Sequence, residues 1–253
     1  MELFYGARKK KRLFVWGHRG APALAVENTL ESFQKAFEHE VDGVEFDVQF
    51  TRDGIPFVFH DDDLKRMAQI DRRPADMLWN ELRCVEIEDS SRPHLPRAGI
   101  PRLDDVLQII PQDRFLNLEL KDVGELKTSD LRRIVGLLNE SGLTPRTILS
   151  SFQHSYLLNA KALEPNLALA ALWVNIPPQA LLSETYRALT DVMHIPFALT
   201  SASDMLQWKN SKSSEVGVWG VKSTEDVAAC LARGVDAVFV DNPQWARLNF
   251  DPA

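Results

Sequence analysis

The stretch Gly43-Val44-Glu45-Phe46-Asp47-Val48-Gln49-Phe50 alternates strictly, with Val44, Phe46, Val48 and Phe50 on one face and Glu45, Asp47 and Gln49 on the other. A two-residue period marks a β-strand. On a solvent-facing antiparallel strand such a polar face is ordinary, but in a parallel sheet both faces of a strand are buried. Glu45 and Asp47 then point into an interior, with Cβ atoms roughly 6–7 Å apart, two residues along the chain. Carboxylates that close in low dielectric repel unless a cation or a proton lies between them.

The chain on either side of this stretch supports the parallel reading. Short apolar runs rich in β-branched and aromatic residues alternate with amphipathic stretches, the pattern of an α/β fold. Eight strands are expected: Leu13 to Gly17, Gly43 to Phe50, Phe115 to Lys121, Thr147 to Ser151, Ala168 to Val174, Asp191 to Ile195, Glu215 to Val221 and Val235 to Asp241. Phe57 to His60 reads as a short additional strand. Asn28 followed by Glu31 suggests a helix cap before Leu30, Phe33 and Phe37, and Ser223 and Thr224 precede a helix whose apolar stripe holds Val227, Cys230 and Leu231. The connection from His60 to Arg102 is long and carries Pro74, Pro93 and Pro96, which fits an insertion on a rim.

Periodicity alone leaves strand order open between a doubly wound sheet and a closed barrel. No Gly-x-Gly-x-x-Gly or phosphate loop follows the first strand, and polar residues gather at the ends of several strands, as at the mouth of a barrel. A length of 253 residues matches one (β/α)8 barrel. The expected architecture is a single TIM-barrel domain over residues 1–253, with a small insertion after the second strand at about 61–102.

The third strand repeats the anomaly of the second. Leu116, Leu118 and Leu120 share one face, and Asn117, Glu119 and Lys121 the other. A salt bridge from Lys121 to one of Glu45, Asp47 and Glu119 still leaves the interior net negative. Three carboxylates from two strands are the composition of a hard-cation site for one Mg²⁺ or Ca²⁺. Two histidines stand at other strand ends, His18 in Gly17-His18-Arg19-Gly20 and His60 in Phe57-Val58-Phe59-His60-Asp61. Cationic side chains to bind a phosphate, with imidazoles to move protons, suit phosphoryl chemistry.

Composition narrows the partners. A formal charge of −7 argues against nucleic acid, and the basic run Arg8 to Arg12 is assigned no role. No stretch approaches the ~18 apolar residues of a membrane span, so no stable membrane insertion is expected. The apolar run after the basic residues ends at Gly17, too short for a signal peptide. Cys84 and Cys230 form neither a disulfide framework nor a zinc motif, which points to a reducing, cytoplasmic setting.

The chain resembles the glycerophosphodiester phosphodiesterase family through His18-Arg19-Gly20, Glu27-Asn28-Thr29, Glu45-x-Asp47, Asp53-Gly54, His60-Asp61, Ile100-Pro101-x-Leu103, Glu119-x-Lys121, Ser150-Ser151-Phe152 and Gly234-Val235-Asp236, in the family's order. The resemblance runs from about Val15 to Pro243. It implies a metal-dependent barrel enzyme that hydrolyses glycerophosphodiesters, such as glycerophosphocholine or glycerophosphoethanolamine, to glycerol 3-phosphate and an alcohol. It further implies Glu45, Asp47 and Glu119 as metal ligands, His18 and His60 as the general acid and base, Arg19 and Lys121 as phosphate binders, and Trp219 as a border of the pocket. Lys222, Val240 and Met67 with Ala68 depart from the family's pattern and bear on substrate preference. Two alternatives stand beside this reading: a lysophospholipase D or phospholipase C-like enzyme acting on lipids, and a non-catalytic barrel that binds glycerol phosphate.

Overall fold

The computed structural model describes residues 13–124, 126–175, 190, 192–201 and 215–244. Its strands, in chain order, are β1 (Phe14–His18), β2 (Gly43–Phe50), β3 (Pro56–Val58), β4 (Glu86–Ile87), β5 (Ala98–Gly99), β6 (Phe115–Leu120), β7 (Thr147–Ser151), β8 (Ala168–Leu172), β9 (Val192–Pro196), β10 (Glu215–Trp219) and β11 (Ala237–Val240). The helices used below are α1 (Leu30–Glu38), α2 (Lys65–Ala68), α3 (Trp79–Leu82), α4 (Leu103–Gln108), α5 (Thr128–Glu140), α6 (His154–Leu163) and α7 (Thr224–Ala232). Eight strands run parallel in the order β1-β2-β6-β7-β8-β9-β10-β11, and β1 pairs with both β2 and β11. The sheet is therefore closed, and the choice between open sheet and TIM barrel falls to the barrel.

Closure explains the burial of the alternating strand. Val44, Phe46 and Val48 face outward and pack with Phe33 and Ala36 of α1, Val106 of α4 and Leu116 and Leu118 of β6 in one shell between barrel and helices. Burying a side chain such as Phe46 contributes about 1.5–3 kcal/mol. The inward set at the lower levels is also apolar: Phe14, Trp16, Ile148, Ala168, Ala170, Val192, Ala237 and Phe239. Trp16 is wholly buried and stacks on Phe239 with ring centroids 6.1 Å apart. His194 joins this interior because Gly217 leaves room; a Cβ there would come within 2.6 Å of the His194 ring. Burial pushes the His194 pKa down to about 3, so its ring is neutral.

One step further along the same inward parity, the residues turn polar. His18, Glu45, Asp47, Asn117 and Glu119 all continue inward-facing rows, and register sets His18 beside Glu45, Glu45 beside Asn117 and Asp47 beside Glu119. The polar layer thus sits at the carboxyl ends of the strands, where barrel enzymes keep their sites.

The insertion carries its own small core. Phe57, Phe59, Leu64, Met67, Met77, Leu82, Ile87 and Ile100 cluster apart from the barrel shells, and β4 and β5 form a short antiparallel pair within it.

Several boundaries differ from expectation. β3 covers Pro56–Val58 and runs antiparallel to β2, so Phe59 and His60 lie beyond the strand. The Phe59 amide still donates to the Asp47 carbonyl at 3.0 Å, which keeps His60 next to the polar layer. β6 ends at Leu120, yet the Lys121 amide donates to the Val48 carbonyl and holds the ladder one residue longer. β8 stops at Leu172 and β10 at Trp219, each two residues earlier than expected. The cap of α1 is Thr29, whose hydroxyl accepts from the Ser32 amide, and Asn28 is displaced to another task. Ser223 caps α7 as expected, accepting from Asp226, whereas Leu231 turns to solvent while Val227 and Cys230 are buried. Arg8 to Arg12 and Asp191 lie outside the described residues.

Candidate active site

Glu45, Asp47 and Glu119 each offer a carboxylate oxygen within 4.8 Å of the others. This convergence follows from strand geometry: two inward positions of β2 and one of β6, paired Asp47 to Glu119. Glu45 and Asp47 are almost fully buried, and Glu119 is nearly so. Two cations sit against the cluster. Lys121 Nζ lies 2.9 Å from Glu119 and 3.4 Å from Asp47, and Arg19 Nε lies 3.4 Å from Asp47.

Two cations against three carboxylates leave one charge uncompensated, and the ionisation of the group records it. Burial and the neighbouring Asp47 charge push Glu45 up to about 8, whereas Arg19 and Lys121 overcome burial and hold Asp47 well below the usual carboxylate range. Glu119 is raised by burial and by Asp47, despite Lys121. Arg19 and Lys121 are in turn held more firmly protonated by these acids, against the cost of their own burial. The set fits a divalent cation on its own evidence: three hard oxygen donors, an excess negative charge, and beside them the buried Asn117 side-chain oxygen with no hydrogen-bond partner among the described residues.

The histidines border the same cavity, which has a volume of about 280 Å³. His18 donates from Nδ1 to Asp241 at 2.7 Å, and His60 donates from Nδ1 to Asp61 at the same distance. Each carboxylate fixes the tautomer and ring direction. The remaining nitrogen, Nε2, is left for the cavity; that of His18 stands 4.0 Å from Glu45. Burial lowers the His18 pKa, but the Asp241 bond and the Glu45 charge outweigh it and leave the group above its ordinary value. Asp61 is held low because bonds from His60 and Arg66 exceed its burial cost.

The loop after β1 is built around backbone conformations that side chains rarely adopt. Arg19 has φ 51° and Asn28 φ 58°, and the Asn28 amide donates to the Arg19 carbonyl at 3.0 Å. Gly20, at φ 89°, packs so closely on Ser32 that a Cβ would come within 2.5 Å of its hydroxyl. This bend lets the Arg19 amide donate to Glu45 at 2.9 Å and its guanidinium bind Glu27 at 2.8 Å. It also brings the Asn28 amide group to Asp47 at 2.8 Å. Asn28 is thus an orienter of the acidic cluster, a role stronger than the cap its sequence suggests.

The opposite wall of the cavity is apolar. Trp219 lies edge-on to Phe152 with centroids 6.4 Å apart, Leu172 and Phe239 complete the surface, and Lys222 stands at the rim. The Trp219 indole nitrogen is buried without a partner among the described residues. All eight residues singled out from sequence, namely His18, Arg19, Glu45, Asp47, His60, Glu119, Lys121 and Trp219, border or back this one cavity. Asp241, Asp61, Glu27 and Asn28 belong to the site as well. The sequence displays Glu27 and Asp61 as motif members without a task and Asn28 as a cap, while only the inward parity of the last strand could have singled out Asp241 beforehand.

Comparisons with known proteins agree with this geometry. The profile of the "Glycerophosphoryl diester phosphodiesterase family" matches residues 18–245. A glycerophosphodiester phosphodiesterase of Caldanaerobacter subterraneus subsp. tengcongensis is 27% identical over 238 residues, covering 92% of this chain and 96% of that one. Among solved structures, an Oleispira antarctica phosphodiesterase in complex with the product sn-glycerol-3-phosphate superposes with a TM-score of 0.83 at 28% identity, covering 95% of this chain and 98% of its own. A glycerophosphodiester phosphodiesterase of Thermotoga maritima shares the fold, with a TM-score of 0.76 at 23% identity and coverage of 93% and 98%.

Proposed function

The chain belongs to the glycerophosphoryl diester phosphodiesterase family and is a phosphodiesterase; from that premise we propose that it hydrolyses water-soluble glycerophosphodiesters to glycerol 3-phosphate and an alcohol, using one divalent cation and two histidines. The observation that carries the reading is the meeting, at one cavity lined by Glu45 and Glu119 and backed by Asp47, of three carboxylates with two imidazoles that are each tied to an acid through Nδ1. The Oleispira antarctica relative, bound to sn-glycerol-3-phosphate, supports the glycerol end of the substrate.

In this reading Glu45, Asp47 and Glu119 hold the cation, Mg²⁺ or Ca²⁺, which supplies Lewis acidity toward the phosphate oxygens. Arg19 and Lys121 bind the phosphate with charge-assisted hydrogen bonds. One histidine takes at Nε2 the proton of the attacking oxygen, from water or from the substrate's own glycerol hydroxyl, and the other protonates the leaving alkoxide; on the hydroxyl route the P–O bond formed closes a cyclic phosphate that water then opens to glycerol 3-phosphate. Trp219, with Phe152, borders the glycerol or alcohol moiety. We read residues 1–253 as one barrel domain with its insertion at about 61–102, because the described strands close around one polar layer. Two free cysteines, one of them exposed, fit a cytoplasmic setting. No described helix is long and apolar enough to cross a membrane.

Incubation with glycerophosphocholine and Mg²⁺ or Ca²⁺ tests the assignment. Glycerol 3-phosphate and choline are expected, and excess chelator should stop their release. Phosphocholine with glycerol would mean that the substrate sits reversed. A strong preference for a lysophospholipid would move the assignment to the lipid-directed alternative, and binding without turnover would move it to the non-catalytic one.

A further inference from the structure

Arg66 lies in α2, on the insertion, between Leu64 and Met67, both buried in the insertion core. Its guanidinium reaches out of that core toward two acids at once. Nε and Nη2 bind the two oxygens of Asp61 at 2.6 and 3.0 Å, and Nη1 and Nη2 bind the two oxygens of Glu27 at 3.2 and 2.6 Å. Neither acid ends its chain of bonds there. Asp61 holds His60 Nδ1, and Glu27 holds the Arg19 guanidinium.

From these bonds we infer that Arg66 is a positioning residue, a fork that fixes His60 through Asp61 and Arg19 through Glu27 from outside the cavity. The inference rests on the roles assigned above to His60 and Arg19. Its physical basis is the planar guanidinium, which donates to two carboxylates in fixed directions and which an ammonium cannot imitate. Without it, Asp61 and Glu27 become two like charges that share no cation, and each is free to turn away from its partner. Both arms leave from one packed helical turn, so histidine and arginine are set relative to each other as well as to the barrel. The insertion is thereby tied to the chemistry without lending a side chain to the reacting atoms.

The test compares Arg66→Ala and Arg66→Lys with the wild-type chain, in the presence of the metal, using glycerophosphocholine. Both variants are expected to lose about 10- to 100-fold in kcat, the usual range for groups that orient active-site residues. Arg66→Lys keeps the charge but loses the fork. Arg66 is 46% exposed, and thermal unfolding should show that the variants remain folded. Millimolar guanidinium should restore several-fold activity to Arg66→Ala, while ammonium should not. In a His60→Ala background Arg66→Ala should cost several-fold less than in wild type, because the Asp61–His60 arm is gone and only the Glu27–Arg19 arm remains to be lost. A folded Arg66→Ala with wild-type rate overturns the inference, as does an equal loss in both backgrounds or a loss that guanidinium leaves untouched. Should Arg66→Ala fail to fold, Arg66→Lys is decisive, and a wild-type rate there rejects the fork. A His60→Ala variant as fast as wild type would remove the histidine role itself, an outcome distinct from a slow His60→Ala in which the Arg66 loss persists.

Discussion

Glu45→Gln should make the metal-free protein more stable while removing its response to metal. In the folded chain, burial and Asp47 place the Glu45 pKa at about 8, against an ordinary 4.5. Because its pKa is raised on folding, the stability contribution of Glu45 is fully present below 4.5, falls as pH rises through the window, and is lost above about 8. At pH 7 the difference corresponds to about 3 kcal/mol and above pH 8 to about 5 kcal/mol, both ceilings because Asp47 and Arg19 adjust with it. Glutamine keeps the acceptor for the Arg19 amide, bonded at 2.9 Å, and removes the ionisation. In chelator at pH 8, the variant should therefore melt on the order of 5–10 °C above wild type, and the gap should nearly vanish at pH 5. Metal at 100 times its dissociation constant should raise wild type by about 2.7 kcal/mol and the variant far less. Differential scanning calorimetry across pH, with chelator and with Mg²⁺ or Ca²⁺, reads all of these. Equal melting points at pH 8 in chelator, or equal gains from metal, would refute the account of an uncompensated carboxylate.

Other predictions follow from the same contacts. His18→Ala and His60→Ala should each cost roughly 10² to 10⁴ in rate, and a substrate with a good leaving alcohol should rescue only the variant that lacks the general acid; unchanged rates would make both histidines structural. Asp241→Asn should lower the His18 pKa, since the acid's bond and charge help hold it up, and so move one limb of the pH–rate profile to lower pH; a profile unmoved on both limbs counts against that dyad. Gly217→Ala should lower stability by about 1–3 kcal/mol through its collision with the His194 ring, measured by denaturant unfolding, and a smaller residue at 194 should recover part of the loss.

Much of the barrel was legible because periodicity and burial give the same instruction. In β2, alternation, β-branched residues and the demand that both faces be buried all agree, and its bounds are met at both ends. The acidic cluster was legible for the converse reason: charges on an inward face break the rule that the rest of the strand obeys. Asn28 shows where such reading ends. Its spacing fits a cap, but the left-handed backbone at Arg19 and Asn28 accompanies the close packing of Gly20 on Ser32, a contact between residues twelve apart that no local pattern encodes. Arg66 was equally hidden, because its two acids lie five and thirty-nine residues away and only the folded insertion aligns them. Leu231 was misjudged because a stripe of helical period does not reveal how wide the covering surface is.

The bond between His18 and Asp241 joins residues 223 positions apart, across the seam where the first barrel strand meets the last. The three cluster carboxylates, His60 and the insertion all lie at or before β6 in the chain, whereas the acid that orients His18 follows the last barrel strand. With His18 in its proposed role, turnover depends on the closing strand and doubles as a report that the ring has shut. With the roles proposed above, a chain shortened before β11 keeps every proposed cation ligand but lacks the acid that guides one imidazole, which separates the residues that bind a cation from those that cut.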